Sequence, residues 1–246
     1  MPTMIETAQG RRIACDRIAG EGPGVMFLGG FRSDMEGTKA LALRDWARDA
    51  GRAFVRFDYS GHGASEGTFE AGSIGDWAED AAAVLGQTEG PQILVGSSMG
   101  GWIALLLARA MPERIAGLVT IAAAPDFTED AMWGRFSLEQ KAELQERGQI
   151  ALPSDYGAAY VITKRLIEEG RGSLVLRTPL PLPFPVRMLQ GTADVDVEMS
   201  VALRLLGHAE GPDMRLTLVN GADHRFSTPD CLALVVAAVE DVSARA

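Results

Sequence analysis

The chain has 246 residues, 47% of them hydrophobic and 23% charged, and 33 acidic residues against 23 lysines and arginines leave a formal net charge of −10. Such a composition fits one folded domain of the larger α/β kind and excludes disordered, collagen-like and coiled-coil classes. A surface this acidic repels phosphate backbones and anionic lipid heads, so neither nucleic acid nor a membrane is expected as a partner.

At the N-terminus, residues 1–10 have neither the basic start nor the apolar stretch of a signal peptide, and the chain is read as cytoplasmic. Segments 3–7 and 12–17 flank a turn at Gln9 and Gly10 and predict an antiparallel hairpin at a sheet edge. Cys15 and Cys231 are far apart and belong to no CxxC pattern, so both are read as buried apolar residues. Next come strand patterns at 24–28, 53–58, 92–96 and 117–122, alternating with helical periodicity at 39–49, 74–85 and 99–111. This rhythm predicts an α/β fold, a mostly parallel sheet with helices on both faces.

From Pro125 to about Pro183 the rhythm breaks. Helical patterns at 137–147 and 157–169 come without a convincing strand, and the stretch closes on a breaker-rich run from Thr178 to Pro185. Residues 125–183 are therefore expected to form a small helical cap insertion in a single domain whose core is 1–124 and 184–246. Strands at 186–190 and 215–219 and helices at 197–206 and 229–244 complete the chain. Its longest apolar runs, 102–108 and 231–239, fall well short of the roughly 18 residues that a membrane span needs.

The chemistry concentrates in Gly96, Ser97, Ser98, Met99 and Gly100, a G-x-S-x-G motif between a strand and a helix. A serine on so tight a turn has an exposed hydroxyl and needs small flanking residues, which selects Ser98 as the candidate nucleophile. A serine hydroxyl needs a base. Of three histidines, His62 lies upstream of the serine and His208 in a turn read as solvated, whereas His224 follows the strand at 215–219, where the base of this architecture belongs. The acid must follow a later strand and precede His224, and the loop after 186–190 offers Asp194 and Asp196. Backbone donors for an oxyanion are expected from Met99 and from Phe31 in the glycine-containing loop after 24–28.

Several competing motifs fail. The run from Gly61 to Gly67 lacks the third glycine of a dinucleotide fingerprint, and Glu36 to Lys39 reverses the order of a phosphate-binding loop. Asp194, Asp196 and Glu198 alternate as an acidic surface loop does, so no metal and no cofactor are implied.

The segments 30–40, 56–61, 91–102 and 221–225 resemble the α/β-hydrolases, and within them the subgroup of mitochondrial abhydrolase-domain proteins described as acyl-glucuronide esterases and palmitoyl-protein thioesterases, with their bacterial relatives. The resemblance implies an α/β-hydrolase fold with Ser98, Asp194 and His224 as the triad and Phe31 and Met99 as oxyanion donors. It favours Asp194 over Asp196 through the G-x-x-D-x-x-V spacing from Gly191 to Val197. Gln190 and Glu198 depart from the subgroup, which often has histidine and proline there.

The expected activity is that of a serine hydrolase cleaving small-molecule carboxylic esters or thioesters through an acyl-enzyme. The alternatives are carbon–carbon bond hydrolysis by the same triad and ligand binding without catalysis. For the substrate, Arg32 is a candidate partner of a carboxylate or phosphate, and Trp133 and Phe136, with Phe127, Met132 and Tyr156, are candidate walls of an acyl pocket. Oligomeric state is left open by the sequence.

Overall fold

The computed structural model describes residues 2–152 and 160–246. The chain opens with β1 (Thr3–Glu6), β2 (Arg12–Ile18) and β3 (Glu21–Leu28), then α1 (Thr38–Asp49) and β4 (Arg52–Phe57). Helix α2 (Ile74–Gly86), β5 (Gln92–Ser97), α3 (Met99–Ala110) and β6 (Ile115–Ile121) follow. After α4 (Leu138–Arg147) come β7 (Gln149–Leu152), β8 (Tyr160–Thr163), α5 (Lys164–Gly170) and β9 (Leu180–Pro181). The last part holds β10 (Val186–Gly191), α6 (Met199–His208), β11 (Ala209–Glu210), β12 (Met214–Val219) and α7 (Pro229–Ser243).

Eight strands form one sheet in the order β1-β2-β4-β3-β5-β6-β10-β12. The N-terminal hairpin is antiparallel and sits at one edge, as its sequence predicts, while β4 through β12 run parallel. Every residue of β5 and of β10 is buried, which explains their near-continuous apolar character. Alternation along the strands splits the core in two. Met26, Leu28 and Leu94 face Trp77 of α2 and Trp102 of α3. Val25, Phe27, Ile93 and Val95 face Leu43 of α1 and Val235 and Val239 of α7. Both cysteines are buried and free.

Within 125–183 the structure corrects the expectation of a purely helical segment. Residues 149–152 and 160–163 form an antiparallel pair in which Ile150 lies opposite Ile162, both buried. The helix expected over 157–169 is shorter: 157–159 lie outside the described residues, Tyr160–Thr163 is strand, and the helix runs Lys164–Gly170. Its start is set by Thr163, whose hydroxyl accepts the Leu166 N–H at 3.1 Å. The β-branched pair Val161 and Ile162 favours the extended form, and four-residue strands leave too short an alternation to stand out.

Arg177 pairs with Asp126 and Asp130 inside this segment, and ion pairs tie it to its surroundings through Arg204 with Asp130 at 2.7 Å, Arg165 with Asp76 at 2.9 Å and Arg135 with Glu198 at 2.6 Å. No helix of the described residues is long and apolar enough to cross a membrane.

Candidate active site

Strand β5 ends at Ser97 and α3 begins at Met99, so the chain must reverse within one residue. Ser98 makes that turn at φ 54°, ψ −117°, a conformation in which a residue with a Cβ is strained. The flanking glycines are required by close approach. A Cβ at Gly100 would overlap the carbonyl oxygens of Leu28 and Gly29, and one at Gly96 would overlap the backbone of Gly100. Main-chain bonds fix the turn: the Ser98 N–H donates to the Ile121 carbonyl at 2.9 Å, and the Ser98 carbonyl accepts from Gly101 at 2.9 Å and Ala124 at 3.1 Å.

His224 stands in the loop after β12, with its Nε2 3.2 Å from Ser98 Oγ and its Nδ1 2.8 Å from Asp194 Oδ2. The carboxylate can only accept, so Nδ1 carries the proton and Nε2 is left to accept from the serine. Asp194 Oδ1 takes the N–H groups of Asp196 at 3.0 Å and Val197 at 2.8 Å, which also delays the start of α6 to Met199. Of the two candidate acids, it is therefore Asp194 whose carboxylate meets the imidazole. The exposed Asp196 contributes its backbone amide to Asp194.

Burial alone would push the Asp194 carboxyl up. Hydrogen bonds from His224, the Val197 amide and Gln190 outweigh it and hold the group below its ordinary value of 3.8. Asp194, Asp196 and His224 also have the proximity of a cation site. Asp194 already spends both oxygens on N–H donors, which leaves little of the free oxygen capacity that a hard cation requires.

The loop after β3 packs on this turn, where a Cβ at Gly30 would sit 3.5 Å from Ser98 Cβ. Met99 is the first residue of α3, so its amide has no acceptor within the helix. Among the described residues, no backbone acceptor pairs with the Phe31 amide. Phe31 and Met99, with Ser98 and His224, line a cavity of about 790 Å³. Its wall is largely apolar and includes Phe127, Met132, Phe136, Leu152, Tyr160 and Val197; Arg32, Lys39, Arg135 and Arg225 bring positive charge to it.

The expected wall residues divide. Phe136, Phe127 and Met132 line the cavity, and Tyr156 lies outside the described residues. Trp133 is not among the residues that line the cavity: its ring meets the Lys141 amine at 5.1 Å, the Arg171 guanidinium at 5.0 Å and the Phe136 ring edge-on at 6.3 Å, so its contacts are spent on these cations and on Phe136. Arg32 lines the cavity, with its guanidinium over the rings of Phe69 at 4.8 Å and Tyr160 at 5.4 Å.

His208 is half-buried and bonds the Val175 and Thr178 carbonyls through Nε2, in place of the solvated position expected for it. Asp223, next to His224 in the chain, shapes the turn by accepting the Phe226 N–H at 3.1 Å.

Three residues near the site escaped the reading of motifs. Gln190 is fully buried and its Nε2 donates to Asp194 Oδ2 at 3.1 Å and to the Val197 carbonyl at 3.0 Å. Lys39 donates to the Arg225 carbonyl beside His224, and burial pulls its amine down to about 8 against a partial counter-pull from Asp223. His62 packs beneath the loop that carries Phe31. A glycine on either side of His62 was the one available signal for a tightly built loop there.

Comparison with known proteins gives a consistent pattern. The family model described as serine aminopeptidase, S33, matches residues 24–158. A palmitoyl-protein thioesterase of Rattus norvegicus, ABHD10, described as mitochondrial, is 36% identical over 233 residues, which span 94% of this chain and 78% of that protein. The solved structure of mouse alpha/beta hydrolase domain-containing protein 10 is 33% identical, with a TM-score of 0.91, and the match covers 98% of this chain and 97% of that one. A provisionally assigned hydrolase from Agrobacterium vitis S4 is 41% identical with a TM-score of 0.95, over 99% and 98% of the two chains.

Proposed function

The chain belongs to the α/β-hydrolases, in the family described as serine aminopeptidase, S33, and on that premise we propose that it cleaves small-molecule carboxylic esters or thioesters through an acyl-enzyme on Ser98. The observation that carries this reading is the unbroken hydrogen-bond chain from Ser98 Oγ through His224 to Asp194 at the foot of an apolar cavity. His224 Nε2 takes the serine proton as Oγ adds to the acyl carbon, and Asp194 holds the imidazole tautomer and balances the imidazolium that forms. The Phe31 and Met99 amides stabilise the negative carbonyl oxygen. The tetrahedral species collapses with loss of an alcohol or thiol that takes the proton from His224. Water then adds to the acyl group, giving a proton to His224, and Ser98 leaves with that proton while the carboxylic acid departs.

In this proposal 125–183 acts as a cap on a core of 1–124 and 184–246. Phe136 and Arg32 contact the acyl group or its leaving partner, and Trp133 supports Phe136 from behind. A cytoplasmic location belongs to the same proposal, although the rat relative is described as mitochondrial, and cell fractionation tests it.

The activity is tested by hydrolysis of p-nitrophenyl esters from acetate to palmitate, together with palmitoyl-CoA, using Ser98→Ala as control. Serine-dependent turnover with chain-length preference is the expected result. Folded wild-type protein that turns over none of them, and takes no fluorophosphonate adduct on Ser98, overturns the proposal.

A further inference from the structure

We propose that His62 is a positioning residue for the oxyanion loop: its ring Nε2 accepts the Arg32 N–H at 3.3 Å and thereby fixes the loop in which the neighbouring Phe31 amide sits. The proposal rests on the reading of Ser98 as nucleophile and Phe31 as oxyanion donor.

The loop has reason to need such a hold. Arg32 adopts φ 56°, left-handed for a residue with a long side chain, so its backbone is strained and would relax if released. Beside this bond the turn is held by the Ser33 N–H, which donates to the Gly30 carbonyl at 3.2 Å, and by the Tyr59 hydroxyl, which donates to the Gly29 carbonyl at 3.4 Å.

His62 is built as an acceptor. It is buried, and its ring is surrounded edge-to-face by Tyr59 at 5.6 Å, Phe69 at 5.1 Å and Trp77 at 5.1 Å. Its Nδ1 lies 3.2 Å from the Ser60 carbonyl, which only accepts, so Nδ1 carries the hydrogen and Nε2 has a free lone pair. The Ser60 carbonyl is itself fixed by the Trp77 indole N–H at 3.1 Å, and the Ser60 amide and hydroxyl are held by Asp80 at 2.9 and 2.7 Å.

Asp58 then joins the two loops directly, accepting from the Met35 amide at 2.6 Å and the Ala64 amide at 2.8 Å. Phe31 enters the same aromatic group, 4.8 Å from Phe69 and 5.9 Å from Trp77. One aromatic cluster thus holds both the acceptor and the residue whose amide must be aimed.

Protonating His62 would turn Nε2 into a donor facing another donor. Burial opposes that charge, as does the Arg32 guanidinium; the Ser60 carbonyl and the carboxylate of Asp80 favour it, and the net result lies below the ordinary 6.5. The neutral, accepting ring is therefore the form present at neutral pH.

Two substitutions separate an acceptor from a mere filler. His62→Phe keeps the ring and its packing but removes the acceptor; His62→Gln places an amide oxygen near the position of Nε2. On a p-nitrophenyl ester, His62→Phe is expected to lower kcat about 10- to 100-fold with KM within about twofold, as for a donor displaced by a fraction of an ångström to one ångström. His62→Gln is expected to recover most of the loss. Hydrogen exchange read by mass spectrometry over residues 29–34 should quicken in His62→Phe and return toward wild type in His62→Gln.

Unchanged kcat and unchanged exchange in a folded His62→Phe overturn the proposal. So does an equal fall of kcat in both variants with a lowered Tm, which marks a structural role only. If His62→Phe does not fold, His62→Asn, whose amide reaches the position of Nδ1 but not that of Nε2, is read in its place: faster exchange over 29–34 than in His62→Gln supports the hold and equal exchange overturns it. Wild-type protein without ester turnover overturns the hydrolytic reading instead, and the exchange arm still decides whether His62 holds the loop.

Discussion

Ser98 and the pair Asp194–His224 meet in one site but are held by opposite means. Around Ser98 the restraint is main chain: a left-handed backbone, carbonyl and amide bonds to Ile121, Gly101 and Ala124, and glycines with no room for a Cβ. Around Asp194 and His224 the restraint is side chain, a carboxylate taking four N–H groups from His224, Gln190 and two loop amides. The first kind depends on steric fit and does not titrate. The second is sterically forgiving and depends on charge.

Removing the reacting groups has the largest expected effect on this comparison. Ser98→Ala and His224→Ala are each expected to lower kcat by roughly 10⁴- to 10⁶-fold with the fold intact by circular dichroism. Near-normal turnover in either variant would remove that residue from the chemistry.

Asp194→Asn, which leaves volume unchanged but disturbs the imidazole tautomer, is expected to cost on the order of 10⁴-fold in kcat, while Asp196→Asn stays within several-fold. The reverse ranking would move the acid to Asp196.

The steric side is sharpened by Gly100→Ala. Main-chain carbonyls of Leu28 and Gly29 cannot withdraw as a side chain can, so a loss of about 3 kcal/mol or more, read as a fall in Tm of roughly 10 °C, is expected. A variant with wild-type Tm would show that the turn has slack.

Charge dependence is the test of the other side. Because the Asp194 carboxyl lies below 3.8 in the folded chain, the unfolded chain takes up the proton first as pH falls. Its stabilisation is present above about pH 4 and fades below. The Tm difference between wild type and Asp194→Asn should therefore narrow on the acid side, and a constant difference would contradict the assignment.

The smallest effect expected is at Lys39. Its amine titrates near 8 when folded against 10.5 when unfolded, so between these values the unfolded chain binds more protons and stability rises with pH. Lys39→Met should remove that slope in thermal melts from pH 8 to 10.

The same contrast explains what was legible in the sequence. The turn at Ser98 is read from local spacing because its requirements are local: a strand, two glycines and a helix in consecutive residues. His224 is legible from its place after the last strand. The choice of Asp194 over Asp196 depends on which carboxylate faces a residue 30 positions away in the chain, and local spacing cannot supply that direction without a family pattern. Gln190 and His62 act on groups outside their own motifs, so only the assembled sheet brings their roles into view. The short pair β7 and β8 was missed because four residues of alternation are too few to distinguish from helix, and Trp133 because an aromatic in an insertion carries no sign of which side it faces.

The order of strands has a consequence for how the molecule gains its activity during synthesis and refolding. Ser98 comes from the middle of the sheet, Asp194 from the loop after β10, and His224 from the loop after β12, which forms the outer edge opposite the N-terminal hairpin. A parallel strand pairs only after its crossover is in place, and β12 is the last strand to leave the ribosome. Turnover therefore requires that the final edge has docked, so regained activity reports completion of the sheet.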